Sequence, residues 1–345
     1  MGVALCIIAL VFHGLSRCWP EHLPWSPGPL VVPALAAVWT LWLLPAGDGA
    51  RAQAAALDAV RADPFAFFDP APVSAAGCFR LLAWPLAMVF GDALGVRVLA
   101  GAALGTALLL THALARGLGA PAWAGVLAQV IALALPEMRQ PLAAGRFPSV
   151  LGSAGELAVL VHLVRRQRVL EAARDGAAAC AFFFGAQALY AGAIPVLLAL
   201  VLVAAALEIA AGHRRRARWV LGAYGIALGL VFVAEYAWSI PGFVRVPSAF
   251  VDASSIPVAA MPWRLDVAAL VALAASLAFT RAAWGAALRT HAAAIVAALA
   301  VAAGASALPV RLGLEMHALA FGAAPLASLA ACALAGLVGR RRGAD

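Results

Sequence analysis

Long apolar runs separated by short arginine-bearing segments occupy most of the chain. From residue 95 onward they fall at 95–115, 121–136, 149–164, 176–190, 192–211, 218–238, 265–280, 286–308 and 315–338. At ~1.5 Å rise per residue the shorter runs form helices of ~25 Å, enough for a thin or locally thinned bilayer. Two more runs, 2–16 and 30–45, are parted by Pro20, Pro24, Pro27 and Pro29. Residues 2–16 have neither a basic segment before them nor a small-residue cleavage site after them, and read as a retained short helix rather than a signal peptide. The pattern predicts an all-α polytopic membrane protein with about 10–11 transmembrane helices. Whether residues 2–16 cross decides the count and the side on which the N-terminus lies.

Residues 46–94 break this rhythm. Gly47-Asp48-Gly49-Ala50-Arg51 is turn-forming and polar. Residues 51–61 carry an Ala/Leu/Val face and are expected to lie in the membrane interface. Asp63-Pro64-Phe65-Ala66-Phe67-Phe68-Asp69-Pro70 follows as a turn with aromatic anchors. The run 79–90, broken by Pro85, is shorter than the ~17 residues a crossing needs and reads as interfacial or re-entrant.

Arginine orients the array. Arg165, Arg166 and Arg168 close one apolar run, Arg214–Arg216 and Arg218 follow another, and Arg340–Arg342 close the last. Cytoplasmic loops carry the Lys/Arg excess, so these clusters lie inside, as does the C-terminal tail 339–345. The outer face then receives 46–94, 136–148, 239–264 and 309–314. A single integral membrane domain is expected over 1–345. It comprises N-terminal hydrophobic helices (1–45), an outer-face loop with interfacial helices (46–94) and a helix bundle (95–338). No period of 20–50 residues repeats, which argues against an inverted-repeat transporter.

Composition supports this placement. The chain is 65% apolar and 12% charged, with mean hydropathy +0.96, against ~45–50% and ~25% for soluble domains. The net charge of +8 sits at span ends with no basic groove and interleaved aromatics, so no nucleic-acid partner is expected. All 24 cations are Arg, with no Lys and no Asn. That bias fits a GC-rich bacterial coding sequence, and hence the bacterial inner (cytoplasmic) membrane. The cysteines at 6, 18, 78, 180 and 332 show no metal-ligand spacing, and Cys180 and Cys332 read as small core residues.

No phosphate-binding glycine loop, zinc-peptidase or nucleophile-elbow motif is present, and the seven His are scattered. His162, near the inner interface, reads as a snorkelling side chain. Intramembrane charges carry more information, because burying one in hydrocarbon costs several kcal/mol. Glu156 lies about two turns into its run, and Glu235 lies near the outer end of another, beside Tyr236 and Trp238. Glu208 is close enough to the inner surface to be explained by Arg214–Arg216. Arg139, Arg146, Arg245 and Arg264 fall in outer loops, against the positive-inside trend. A phosphate ligand is one reason, since guanidinium binds phosphate through paired hydrogen bonds. Lipid headgroups, or pairing with Glu137 and Asp252, are the other.

Residues 46–164 carry a further pattern. Phe79-Arg80-Leu81-Leu82-Ala83-Trp84-Pro85-Leu86 is followed by Val89-Phe90-Gly91-Asp92-Ala93-Leu94-Gly95-Val96-Arg97. Leu114-Ala115-Arg116-Gly117, Ala132-Leu133-Ala134-Leu135-Pro136 and Gly145-Arg146-Phe147-Pro148 come after it. This resembles the GT-C superfamily of polyprenyl-phosphate-dependent glycosyltransferases, near the protein mannosyltransferase and lipid A aminoarabinose transferase branches. The resemblance implies transfer of a sugar from a polyprenyl-phosphate donor to an acceptor on the extracytoplasmic face. It gives Asp48 the place of the family's first-loop acid, which would accept the acceptor's proton or position a divalent metal ion. Asp48 also suits a plain turn. Arg139, Arg146, Arg245 and Arg264 would hold the donor phosphate, with Glu156 or Glu235 in support. The acid that often follows the family's second-loop arginine is replaced by Pro148-Ser149. Two rival classes stay open: a transporter or flippase of a lipid-linked or small-molecule substrate, and a non-catalytic membrane subunit.

Overall fold

The computed structural model describes residues 28–42, 77–135, 138, 142, 147–165, 173–189, 193–210, 212–231, 233 and 322–342. Among these the chain is all helical. Nine helices form: α1 Gly28–Trp42, α2 Gly77–Phe90, α3 Asp92–Gly117, α4 Ala122–Ala134, α5 Phe147–Arg165, α6 Ala173–Leu189, α7 Ala193–Ala210, α8 Arg214–Val231 and α9 Ala324–Arg342. Each coincides with an apolar run read from the sequence. The runs 2–16, 265–280 and 286–308, and the segment 51–61, lie outside the described residues.

Helix α3 is the hub, packing against α1, α2, α4, α5 and α9. At 26 residues it is the one described helix both long and apolar enough to cross a membrane. Its middle is largely buried apart from one strip that includes Ala102, Thr106 and Leu109, and small residues make the close packing possible. A Cβ on Gly101 would meet the Ala37 carbonyl oxygen at 3.3 Å, and one on Gly105 the Pro33 oxygen at 3.6 Å. These two glycines, four apart, let α1 lie close along α3, as small-xxx-small pairs do. On another face a Cβ on Gly95 would sit 2.5 Å from the Ala87 nitrogen.

That contact belongs to the joint between α2 and α3. Gly91, with φ 80°, is the one residue between them and takes a conformation that side chains with a Cβ resist. Its N–H donates to the Ala87 carbonyl at 2.8 Å, and its own carbonyl accepts from Gly95 at 2.8 Å. The run read as interfacial or re-entrant is therefore a helix folded back on α3, with Ala83 and Ala87 buried and Met88, Val89 and Phe90 exposed.

At the far end of α3, Gly119 donates to Arg116 and Ala120 donates to Ala115, a paired closure that satisfies the last carbonyls. Arg116 Nη1 adds a 2.6 Å bond to the Ala120 carbonyl. The same closure ends α7, through Gly212 to Ile209 and His213 to Glu208. Between α3 and α9, Ser328 Oγ donates to the Thr111 carbonyl at 3.3 Å, and Cys332 Sγ approaches the Ala115 carbonyl at 4.0 Å. Both residues advance by four, so the two helices run parallel. Arg116 and Arg340–Arg342 therefore lie toward the same end of the bundle.

Proline in α1 creates a local debt. Pro33 has no N–H, so the Pro29 carbonyl four residues earlier lacks its helical donor. Gln129 of α4 supplies one: its Nε2 donates to the Pro29 oxygen at 3.0 Å, and its side chain is fully buried. A glutamine in the interior of α4 thus ties it to α1. Gln129→Leu is expected to destabilise the protein by ~1–3 kcal/mol, the typical cost of leaving a buried carbonyl unsatisfied. In a Pro33→Ala background, where the backbone supplies the donor again, most of that loss should vanish. A thermal-denaturation double-mutant cycle measures the coupling, and additive effects would refute the link.

Candidate functional site

Glu156 is the one predicted site residue within the described residues. It stands nine residues from each end of α5, the charged residue farthest from a helix end among the described helices, and is fully buried. α5 packs between α3 and α6, which encloses its middle on both sides. Ser153, one turn earlier, is also buried. The two are three residues apart and share a face. Asp48, Arg139, Arg146, Glu235, Arg245 and Arg264 lie outside the described residues.

Placement in mid-helix limits what Glu156 can do. At ~1.5 Å per residue it is ~13 Å along the axis from either end of α5. A phosphate held in the loops beyond that end would be out of hydrogen-bond reach.

His162 differs from its expectation. It does not snorkel: it is 6% exposed and stacks on Phe182 of α6, with ring centroids 4.6 Å apart and planes 33° apart. The imidazole meets an aromatic partner one helix away, so burial replaces the reach toward the interface. Phe183, the next residue, makes an edge contact with Tyr224 of α8 at 5.4 Å. Tyr224 in turn donates its hydroxyl to the Ile194 carbonyl of α7 at 2.8 Å. Two adjacent phenylalanines thus join α6 to different neighbours.

Three interior polar groups were not singled out by the sequence reading. His112 of α3 is 2% exposed and lies against Gly125 of α4, where a Cβ would be 2.5 Å from Nδ1. Gln187 of α6 is fully buried, and its side-chain amide makes no hydrogen bond among the described residues. Gln129 serves Pro29 as above. Pro33 inside an apolar run was the available signal for Gln129, since it announces an orphan carbonyl. Nothing in the local sequence marks His112 or Gln187 as buried.

Near the end of α7, Glu208 behaves as expected from its neighbours. Its Oε1 pairs with Arg216 Nη1 at 3.3 Å, and its Oε2 with His213 Nδ1 at 3.0 Å. Arg214–Arg216 and Arg218, read as a loop, instead form the first turn of α8. Among the described residues no group of three His, Cys, Asp or Glu is placed to hold a metal ion. No protein family, curated protein or solved structure matches the chain.

Glu156→Gln keeps the side-chain shape and replaces the ionisable carboxyl, and is expected to cost less stability than a bulky cation at the same position. Glu156→Arg, which buries a larger group of opposite charge, should cost ~3 kcal/mol or more and sharply reduce accumulation. Expression and thermal melting of the two variants measure this, and an arginine variant as stable as wild type would place the side chain outside the core.

Proposed function

We propose that this chain is a multi-span protein of the bacterial cytoplasmic membrane that transfers a sugar from a polyprenyl-phosphate donor to an extracytoplasmic acceptor. The observation that carries the membrane part is the outward surface of the helices. Leu30, Val31, Leu35 and Val38 face outward on α1, Met88, Val89 and Phe90 on α2, and Leu198, Leu202 and Ile209 on α7. On α1, α4 and α7 every exposed residue among those whose burial is described is apolar. A helix on the surface of a soluble protein places charged and polar residues there. Lipid tails solvate such faces without penalty, and the charges collect at helix ends, where an interface would be.

The parallel run of α3 and α9 supports the orientation, since it sends two arginine-bearing ends the same way. Cysteine labelling of intact cells, in a background without the native cysteines, tests it directly. A membrane-impermeant maleimide should react with Ser74→Cys and Ser248→Cys and leave Gln167→Cys and Gly212→Cys unmodified. Labelling at Gln167→Cys would reverse the orientation.

Sugar transfer rests on the resemblance of residues 46–164 to the GT-C superfamily and on the economy of a lipid-linked donor. A polyprenyl chain partitions beside the helices, so a membrane bundle can present its phosphate without a nucleotide-binding domain. In this reading Asp48 is the base or metal-positioning carboxylate, and Arg139, Arg146, Arg245 and Arg264 grip the donor phosphate. Asp48→Asn should abolish transfer from a polyprenyl-phosphate sugar by reconstituted protein while changing stability by less than ~0.5 kcal/mol. Full activity in that variant would exclude the assignment.

A second reading, a transporter or flippase, is favoured by Glu156. Intramembrane acids facing a bundle interior mark substrate and proton paths. In that case Glu156→Gln removes movement of substrate across vesicles, and Asp48→Asn does not.

A further inference from the structure

We propose that the start of α8 is a docking site for an anionic phospholipid of the inner leaflet, with Arg214 and Arg218 gripping the headgroup phosphate. The inference rests on the membrane reading of the chain and is independent of the sugar-transfer reading. Four arginines fall within five residues at the amino end of α8, and its first turn holds no acid. The helix dipole is positive at this end, so the cations sit where an anion is favoured. The protein compensates part of this charge. Glu208 is the nearby acid, and its two oxygens are taken by Arg216 and His213.

Arg214 and Arg218 receive no such help. They are exposed, and among the described residues neither makes an ion pair. They stand one turn apart, so both guanidiniums can close on one phosphate through paired hydrogen bonds. They also point away from the core, which α8 meets with Ala217, Val220, Tyr224 and Ala227.

The surface beyond them selects the occupant. The same side of α8 continues with Leu221, Gly222, Gly225 and Gly229, all exposed. A Cβ on any of those three glycines would meet nothing within 4 Å. A cationic end followed by a smooth apolar strip matches a molecule with an anionic head and hydrocarbon tails. Inorganic phosphate would use the arginines alone. A second copy related by two-fold symmetry would use the strip but bring Arg214 and Arg218 near their own equivalents, where like charges repel.

The test uses the full-length protein in a neutral detergent, titrated with phosphatidylglycerol, phosphatidylcholine or inorganic phosphate and read by thermophoresis. Phosphatidylglycerol should bind at least tenfold more tightly than phosphatidylcholine. Each arginine near an anionic surface is worth about fivefold. Arg214→Gln and Arg218→Gln should each weaken phosphatidylglycerol by about that factor and together by roughly 25-fold, with unchanged melting temperature. Removing three cations elsewhere, by Arg340→Gln, Arg341→Gln and Arg342→Gln together, should have less than a threefold effect.

Equal binding of both lipids would overturn the proposal, as would a paired variant that binds like wild type. It would also fail if the Arg340–Arg342 variant lost as much, which would mean a diffuse charge effect. Displacement of the lipid by stoichiometric inorganic phosphate would assign a free-phosphate site instead. Dimerisation lost on mutating Gly225→Leu, with lipid preference intact, would assign the strip to a second copy. Alkaline extraction of native membranes separates the two levels of inference. Release of wild-type protein would remove the membrane reading itself, whereas retention without lipid preference would remove this site alone.

Discussion

Close backbone contact around α3 is the constraint on which the described bundle depends. Five helices pack against this one, and at three of these contacts glycine allows the close approach. Gly101 and Gly105 admit α1, and Gly95 admits the returning α2. At the α3–α4 contact the glycine is on the partner: Gly125 makes room for His112. Under the proposed membrane reading, the lipid tails are as apolar as the side chains, so hydrophobic burial alone would not drive the helices together. Packing and interhelical hydrogen bonds must do it, and small residues are what let both act at short range.

The second theme is how the interior meets its polar obligations. Where water is excluded, each backbone carbonyl needs an internal donor. Pro33 removes one within α1, and Gln129 of another helix restores it. Thr40 and Thr111 return their hydroxyls to carbonyls one turn back within their own helices, and Ser328 divides its hydroxyl between the Ala324 carbonyl one turn back and the Thr111 carbonyl of α3. Glu208 is held at a helix end by two cations. Glu156 stands apart from these cases, because it places a carboxylate midway along a helix whose neighbouring helices enclose it.

That position bears on both functional readings. Under sugar transfer, Glu156 supports the bundle beneath a phosphate site built from outer loops. Under transport, it is the group a substrate or proton meets on the way through. The two readings assign opposite importance to Glu156 and Asp48, which makes that pair of carboxylates the point of discrimination. The arginine-rich start of α8 is separate from both, because it faces outward at the end of the bundle where Arg214 and Arg218 are exposed.

Helix placement was legible in the sequence because it depends on local composition. A run of apolar residues helical in isolation stays so in the bundle, and each of α1 through α9 overlaps the run that predicted it. At α8 the boundary shifts for a visible reason, because four arginines that look like a loop extend the helix by one turn. The pairing of Glu208 with Arg216 was also visible, since both partners lie within a few residues. Contacts between distant helices were not. His162 resembled an interfacial side chain until Phe182 of α6 was placed beside it, and Gln129 showed no tie to Pro29 across 100 residues. The apolar pattern is nearly uniform around these helices, so it carries no information on which face meets which neighbour. Only the close crossings on α3 decided that, because shape and hydrogen bonding between helices depend on where two surfaces meet rather than on what either contains.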